Sequence, residues 1–306
     1  MTGRIVVGTS SWADPGFKAE WYPKGLADRD LLPYYAERFD AVEVNSTFYG
    51  VPSPSTVRRW AEVTPDDFTF DVKLHKAMSR HSAELDELPA ALRDQVDTTP
   101  RGRVRPSADL DRELARRYLK AVAPLADSGK LSSFLLQLSP AFKPARGASP
   151  EAARQKLDEL APLVEALAPH PVAIEFRHRA WVGRDRLEDT LGWLEDHGAA
   201  FVAVDAPSGK PPTMLPPVDA VTRDDLAYLR AHGRNARGWV SGRSVAERFA
   251  YDYDDDELRE LAGRAEHLAE EAGTVRVMFN NNRGADAPRA AARMGELLGI
   301  PADPSI

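Results

Sequence analysis

The 306-residue chain has no cysteine, which excludes disulfides, thiolate zinc sites, iron–sulfur clusters and thiol nucleophiles. It also has no apolar run near the ~18 residues of a membrane-spanning helix. Its opening residues, MTGRIVVGTSSW, pass straight into a strand pattern with no apolar segment of signal-peptide length. The expectation is a cytoplasmic protein without membrane contact. Gly-x-Gly-x-x-Gly is missing, and with it the phosphate turn of a dinucleotide fold; Gly-x-Ser-x-Gly and His-Glu-x-x-His are missing too. Positive charge is in deficit: the net charge of −7 argues against non-specific nucleic-acid binding and leaves room only for a local basic patch.

What is present is an alternation of short apolar runs and helical segments. Strands are predicted over Arg4–Ser10, Ala41–Asn45, Phe68–Lys73, Ser133–Leu138, the run that follows Pro171, Ala200–Asp205, Leu226–His232 and Thr274–Asn280. Helices are predicted over Leu31–Arg38, from Pro54 through Trp60, and over Leu110–Ala126, Pro150–Leu167, Arg184–His197 and Asp255–Ala272, with a last one from Pro288 to Leu298. Eight strands separated mostly by helices, with no hairpin signal, give an α/β class and a single (β/α)8 barrel over residues 1–306. A doubly wound open sheet is the alternative. The connection of residues 74–108 after the third strand is unusually long and carries Arg80, His81, Arg93, Arg101, Arg103 and Arg105. It reads either as a basic lid over the C-terminal face or as a solvated insertion.

The most informative stretch is PVAIEFRHRAW, residues 171–181. Glu175 and Arg177 share one face of a buried strand, so they form an ion pair or face a wet cavity. Other strands end comparably, and in a barrel the ligand site lies where strands end. The candidates for acid–base or nucleophilic chemistry are Glu175, His232, Asp205, Lys73 and Glu43. The candidates for substrate binding are Trp12, Asn45, Tyr49, Gln137, Arg177, His178, Arg230, Asn280 and Asn281. Lys73, Arg177 and Arg230 in the same ring as the carboxylates argue against a catalytic metal, and no cofactor is expected. The loops HGRNARG and NNNRGADAP could hold a phosphate through Arg234 and Arg283, or be plain turns. Glu43 and Glu175 could be a glycosidase pair if suitably spaced. Lys73 could form a Schiff base, but an ion pair with Glu43 or Glu175 is the simpler reading. His75, His81, His170, His197 and His267 are expected at the surface, and Met78, Met214, Met278 and Met294 in packing.

The segments GTSSW, WYP, LLPYYAERFDAVEVNSTFYGVPSPSTVRRW, FLLQLSP, AIEFRHRAW and FNNN before APRAA together resemble the YecE-like family, also called domain of unknown function 72. The resemblance covers nearly the whole chain in order. It implies a TIM-barrel-like fold and no assigned activity. Carried over residue by residue, it points to Trp12, Glu43, Asn45, Ser46, Thr47, Tyr49, Lys73, Gln137, Glu175, Arg177, His178, Trp181, Asp205, His232, Asn280 and Asn281. This chain departs in its longer, more basic segment after Lys73, and at Asn282 and Arg283. The fold is similar to sugar-isomerase and endonuclease IV-like barrels.

The leading expectation is an enzyme for a small anionic, phosphorylated or sugar-like substrate. Arg177, Arg230 and Lys73 would hold the anion, His232 with Glu175 or Asp205 would move protons, and Trp12 and Tyr49 would stack on the ligand. A nucleic-acid binder using the basic insertion with Trp12, Trp21 and Tyr49 is one alternative, ranked lower by the acidic net charge. A non-catalytic ligand-binding barrel is another.

Overall fold

The structure is a computed structural model that describes residues 2–281 and 283–300. Eight parallel strands close into one barrel in sequence order. They are β1 (Arg4–Thr9), β2 (Ala41–Val44), β3 (Thr69–Lys73), β4 (Leu131–Gln137), β5 (Val172–Glu175), β6 (Ala199–Asp205), β7 (Ala227–Ala231) and β8 (Thr274–Phe279). β8 returns to pair with β1 along its whole length, Arg4 opposite Thr274 and Thr9 opposite Phe279. The predicted barrel is therefore the observed one. The strands are short, rich in Val, Ile, Leu and Phe, and buried on both faces, as barrel strands sheathed by helices must be.

Helix starts follow the capping residues. Ser53 Oγ accepts from the Thr56 amide at 3.1 Å, opening the helix Pro54–Glu62. Ser107 Oγ does the same for Leu110 at 3.2 Å, opening Ala108–Asp127. Asp254 and Glu257 form a reciprocal capping box before Asp255–Ala269.

Some expected elements differ. The helix predicted over Pro150–Leu167 is two helices, Pro150–Asp158 and Ala161–Leu167, because Pro162 cannot donate a backbone hydrogen bond and restarts the helix as a first-turn residue. The first long loop contains a helix, Pro15–Glu20, whose Asp14 cap and Pro15 repeat the Ser53-Pro54 signal. The segment after β7 is not a plain turn. Gly233, at φ 82°, turns the chain where a Cβ would lie 2.5 Å from Tyr251, and Asn235 then caps a helix, Ala236–Ser241.

The insertion after β3 is built from short 3₁₀ turns, Leu85–Glu87 and Ala90–Gln95, and two isolated antiparallel bridges, Glu84 to Arg103 and Thr98 to Val104. Four of its five arginines bind nearby protein acceptors. Arg93 donates to the carbonyls of Leu88 and Asp86, Arg103 to the Glu84 carboxylate, and Arg105 to the Thr98 carbonyl. Arg80 grips Asp111 with two hydrogen bonds of 2.9 and 2.7 Å.

Inside the barrel, the inward face of the strands is polar where an apolar filling would be usual. Arg276 of β8 donates to Asp71 Oδ2 of β3, which Ser133 of β4 also engages through Oδ1 at 2.7 Å. Arg276 carried no distinguishing sequence signal beyond its place in an alternating strand. Nearer the C-terminal ends, Arg230 of β7 lies between Glu43 of β2 and Glu175 of β5. Such pairs add little over apolar packing but cost about 3–5 kcal/mol to break from one side.

Candidate functional site

The upper ion network forms a floor beneath the barrel mouth. Arg230 donates from Nε and Nη2 to the two oxygens of Glu43 at 2.9 and 2.6 Å, and from Nη1 to Glu175 Oε2. Tyr228 Oη donates to Glu43 at 3.1 Å. Tyr228, Arg230 and His232, at alternate positions along β7 and just past its end, share the inward face, and His232 Nε2 lies 3.1 Å from Glu175 Oε1. Gln137 Nε2 and Arg177 Nη1 reach Glu175 from above at 3.0 and 3.1 Å. Glu43, Glu175, Arg230 and His232 are all buried.

Burial by itself would raise the pKa of Glu175, but Arg230, His232 and Arg177 outweigh it and hold the carboxyl well below its ordinary range. His232 is pushed down to about 4, first by burial and then by the two arginines, against the pull of Glu175. With the Asn280 amide donating to Nδ1 at 2.9 Å, the neutral ring carries its proton on Nε2 and donates it to Glu175. Glu43 and Glu175 share one guanidinium and neither lines the mouth, so they lack the arrangement of a glycosidase acid and nucleophile.

Above this floor opens a cavity of about 560 Å³. Its walls take Ser10 and Ser11 after β1, Asn45 and Tyr49 after β2, Lys73 at the end of β3, and Gln137 at the end of β4. Arg177 follows β5 and Asn280 follows β8. Phe48, His81, Pro140, Arg248, Phe249 and the rim carboxylate Asp14 complete it. Arg177 keeps one hydrogen bond to Glu175 and lies 5.0 Å from the Trp239 ring, and it has no further protein acceptor among the described residues. Asn45 donates to the Ser10 carbonyl and leaves its Oδ1 buried without a partner.

Lys73 departs from its expectation. It makes no ion pair with Glu43 or Glu175, both of which Arg230 occupies; its Nζ lies 4.8 Å from the centre of the Phe48 ring. Burial, then the Arg230 charge, lower its pKa to about 7 against the opposing pull of Glu43 and Glu175. His81, expected at the surface, packs edge-on against Phe48 at 5.1 Å and faces the cavity. Burial and then Lys73 push it down to about 4. The turn that aims it depends on Arg80 at φ 61°, a left-handed conformation held by the grip on Asp111. His75 is also buried, with Nε2 3.2 Å from the Glu87 carbonyl.

Other sequence candidates lie away from the cavity. Asp205 is bound by Arg234 and by Tyr253 Oη at 2.6 Å, in a separate depression with Glu260 and Arg264. Arg234 is thereby committed to Asp205 and Glu260, and exposed Arg283 does not line the cavity, so these two do not form the expected phosphate loop. His178 accepts from the Ala180 amide, Trp181 donates to the Phe142 carbonyl, and Asn281 donates to the Tyr251 carbonyl. Trp12 packs on Trp60, and Trp21 sits among Tyr22, Tyr34 and Tyr35; of the three proposed stacking residues Tyr49 alone is exposed. Thr47 ties the ends of β2 and β3 together, donating to the carbonyls of Val44 and Lys73. Asn282 lies outside the described residues. Met78, Met214, Met278 and Met294 are core. Among the described residues no group of three or more His, Asp and Glu could hold a metal ion, and no helix is long and apolar enough to cross a membrane.

Arg248 and Phe249 were not anticipated, since nothing in the sequence around them distinguishes the segment from an ordinary connection.

Fold and cavity together define a (β/α)8-barrel protein with a polar, cation-lined mouth. The chain belongs to the family described as protein of unknown function DUF72, whose model matches residues 6–305. It is 27% identical to UPF0759 protein YunF of Bacillus subtilis, over 97% of this chain and 95% of that one. The crystal structure of a DUF72 family protein from Thermotoga maritima is 30% identical and superposes with a TM-score of 0.75, covering 97% of this chain and 99% of the other. An AP endonuclease, family 2, from Brucella melitensis reaches a TM-score of 0.50 at 10% identity, covering 99% of this chain and 100% of that one; that likeness is one of fold alone.

Proposed function

We propose that this protein is an enzyme acting on a small, anionic, sugar-like substrate held in the cavity at the C-terminal ends of the strands. The observation that carries the reading is the charge of the lining. Among the described lining residues Arg177, Arg248 and the titratable Lys73 face Asp14 as the one carboxylate, while of the two carboxylates below Arg230 bridges both and Arg177 gives Glu175 one further contact from Nη1. The volume falls within the ~300–1,000 Å³ usual for small-molecule sites. Ser10, Gln137, Asn280 and the unpartnered Asn45 oxygen suit a substrate bearing hydroxyls. An amine titrating near neutrality in the same cavity favours catalysis over passive binding. In this reading Glu175 and His232 position Arg177, Gln137 and Asn280, and do not themselves exchange protons with the substrate.

The test is thermal unfolding with inorganic phosphate or glucose 6-phosphate titrated at constant ionic strength, wild type beside Arg177→Gln. A ligand at ~100 times its Kd adds ~2.7 kcal/mol to stability. Wild type should gain several degrees in Tm and Arg177→Gln should gain none. No gain in wild type, or an equal gain in both, would remove the anion site.

A further inference from the structure

We propose that Lys73 is an amine nucleophile that forms an imine with a substrate carbonyl, so that the cavity takes an anionic aldehyde or ketone. This rests on the anionic-substrate reading above and names the reacting group within it.

The buried cations of the barrel differ in how they are held. Arg230 and Arg276 are held by carboxylates, Arg80 by Asp111, and Lys130 by the carbonyls of Ala61 and Thr64. Lys73, 8% exposed, has neither an ion pair nor a hydrogen bond from Nζ among the described residues. A buried ammonium so placed is costly, whereas a neutral amine is not. The neighbouring Arg230 and Arg177 charges act in the same direction, against the opposing pull of Glu43 and Glu175, and cationic neighbours are a usual means of activating a lysine as a nucleophile. The amine is also fixed in place. Lys73 ends β3, its carbonyl accepts from Thr47, and its Nζ lies over the Phe48 ring, which His81 also meets in a T-shaped contact.

The chemistry closes on groups in the cavity. The Nζ lone pair attacks the carbonyl carbon, the C=O π pair moves to oxygen, and one amine proton passes to that oxygen to give a carbinolamine. The hydroxyl then leaves with the second amine proton as water, and the C=N bond forms. His81, neutral near pH 7 and with Nδ1 unpartnered, is placed in the same cavity to relay these protons. Arg177 would hold the substrate's anionic group.

The test is reductive trapping. Wild type, Lys73→Met and Lys73→Arg are incubated at pH 7 with pyruvate or glyceraldehyde 3-phosphate and sodium cyanoborohydride, and adducts are located by peptide mass mapping. The expected result is one adduct per chain on Lys73, formed at least ~10-fold faster than on any other lysine because more of this amine is unprotonated. Its rate should reach half-maximum near pH 7, and both variants should lose it. Adducts spread over surface lysines with no preference for Lys73 would overturn the proposal. If phosphate still raised Tm in that case, the anion site would stand without the imine. Selective trapping without phosphate stabilisation would keep the amine chemistry and remove the anion reading.

Discussion

Replacing Arg230 with methionine should destabilise the protein by at least ~3–5 kcal/mol, the usual result of stripping one partner from a buried ion pair. Glu43 would then remain buried without a cation among the described residues, and Glu175 with the single contact of Arg177. The net value of the network over an apolar core is small; the loss comes from the uncompensated charge. The prediction therefore has a second half. Arg230→Met combined with Glu43→Gln and Glu175→Gln removes the stranded charges and should recover at least half the loss. Denaturant unfolding of the wild type, the single variant and the triple variant measures both. A single variant within ~1 kcal/mol of wild type would mean that the carboxylates are solvated or protonated and that the described floor is wrong.

Lys73→Met should act in the opposite direction and raise stability at neutral pH. The folded pKa near 7 lies below the unfolded value of 10.5, so the unfolded chain binds more protons between those two pH values. The burden on the folded state is full below pH 7, falls as pH rises from 7 to 10.5, and is gone above. At 1.36 kcal/mol per pKa unit its size is on the order of 4 kcal/mol at pH 7, and ~2 °C of Tm per kcal/mol makes this several degrees for a chain of this length. The measurement is Tm against pH for both proteins. The variant should melt higher at pH 7, and the two curves should converge near pH 10.5. A variant that melts lower at pH 7 would show that Lys73 is a paired, stabilising cation. A stabilising loss of a cavity residue is what a site held for function at some expense of stability produces.

The barrel was legible because it is written in local chemistry. Short β-branched runs, the Ser53-Pro54 helix start and the absence of hairpin signals each report on a few neighbouring residues, and together they fix the element order. The inward faces were legible too, since alternation places Tyr228, Arg230 and His232 together whatever the rest of the chain does. Pairing was not. Arg230 was expected to hold the anion and Lys73 to pair with Glu43 or Glu175, and only the three-dimensional arrangement shows that the Arg230 guanidinium occupies both carboxylates. Asp205 ends its strand as a site residue would, yet Arg234 and Tyr253 draw it to the outside of the cavity. His81 was misplaced because its position depends on a positive φ at Arg80, a residue type that does not advertise that conformation. Trp12 is half-buried on Trp60, a contact between elements 48 residues apart that no periodicity reveals.

Arg177 is proposed to hold an anion in the mouth of the barrel. Anomalous diffraction from crystals soaked in tungstate would test this most directly. A peak inside the cavity within hydrogen-bonding distance of the Arg177 guanidinium, absent from Arg177→Gln crystals, is the predicted result. An empty cavity in crystals that carry tungstate on surface arginines would contradict it.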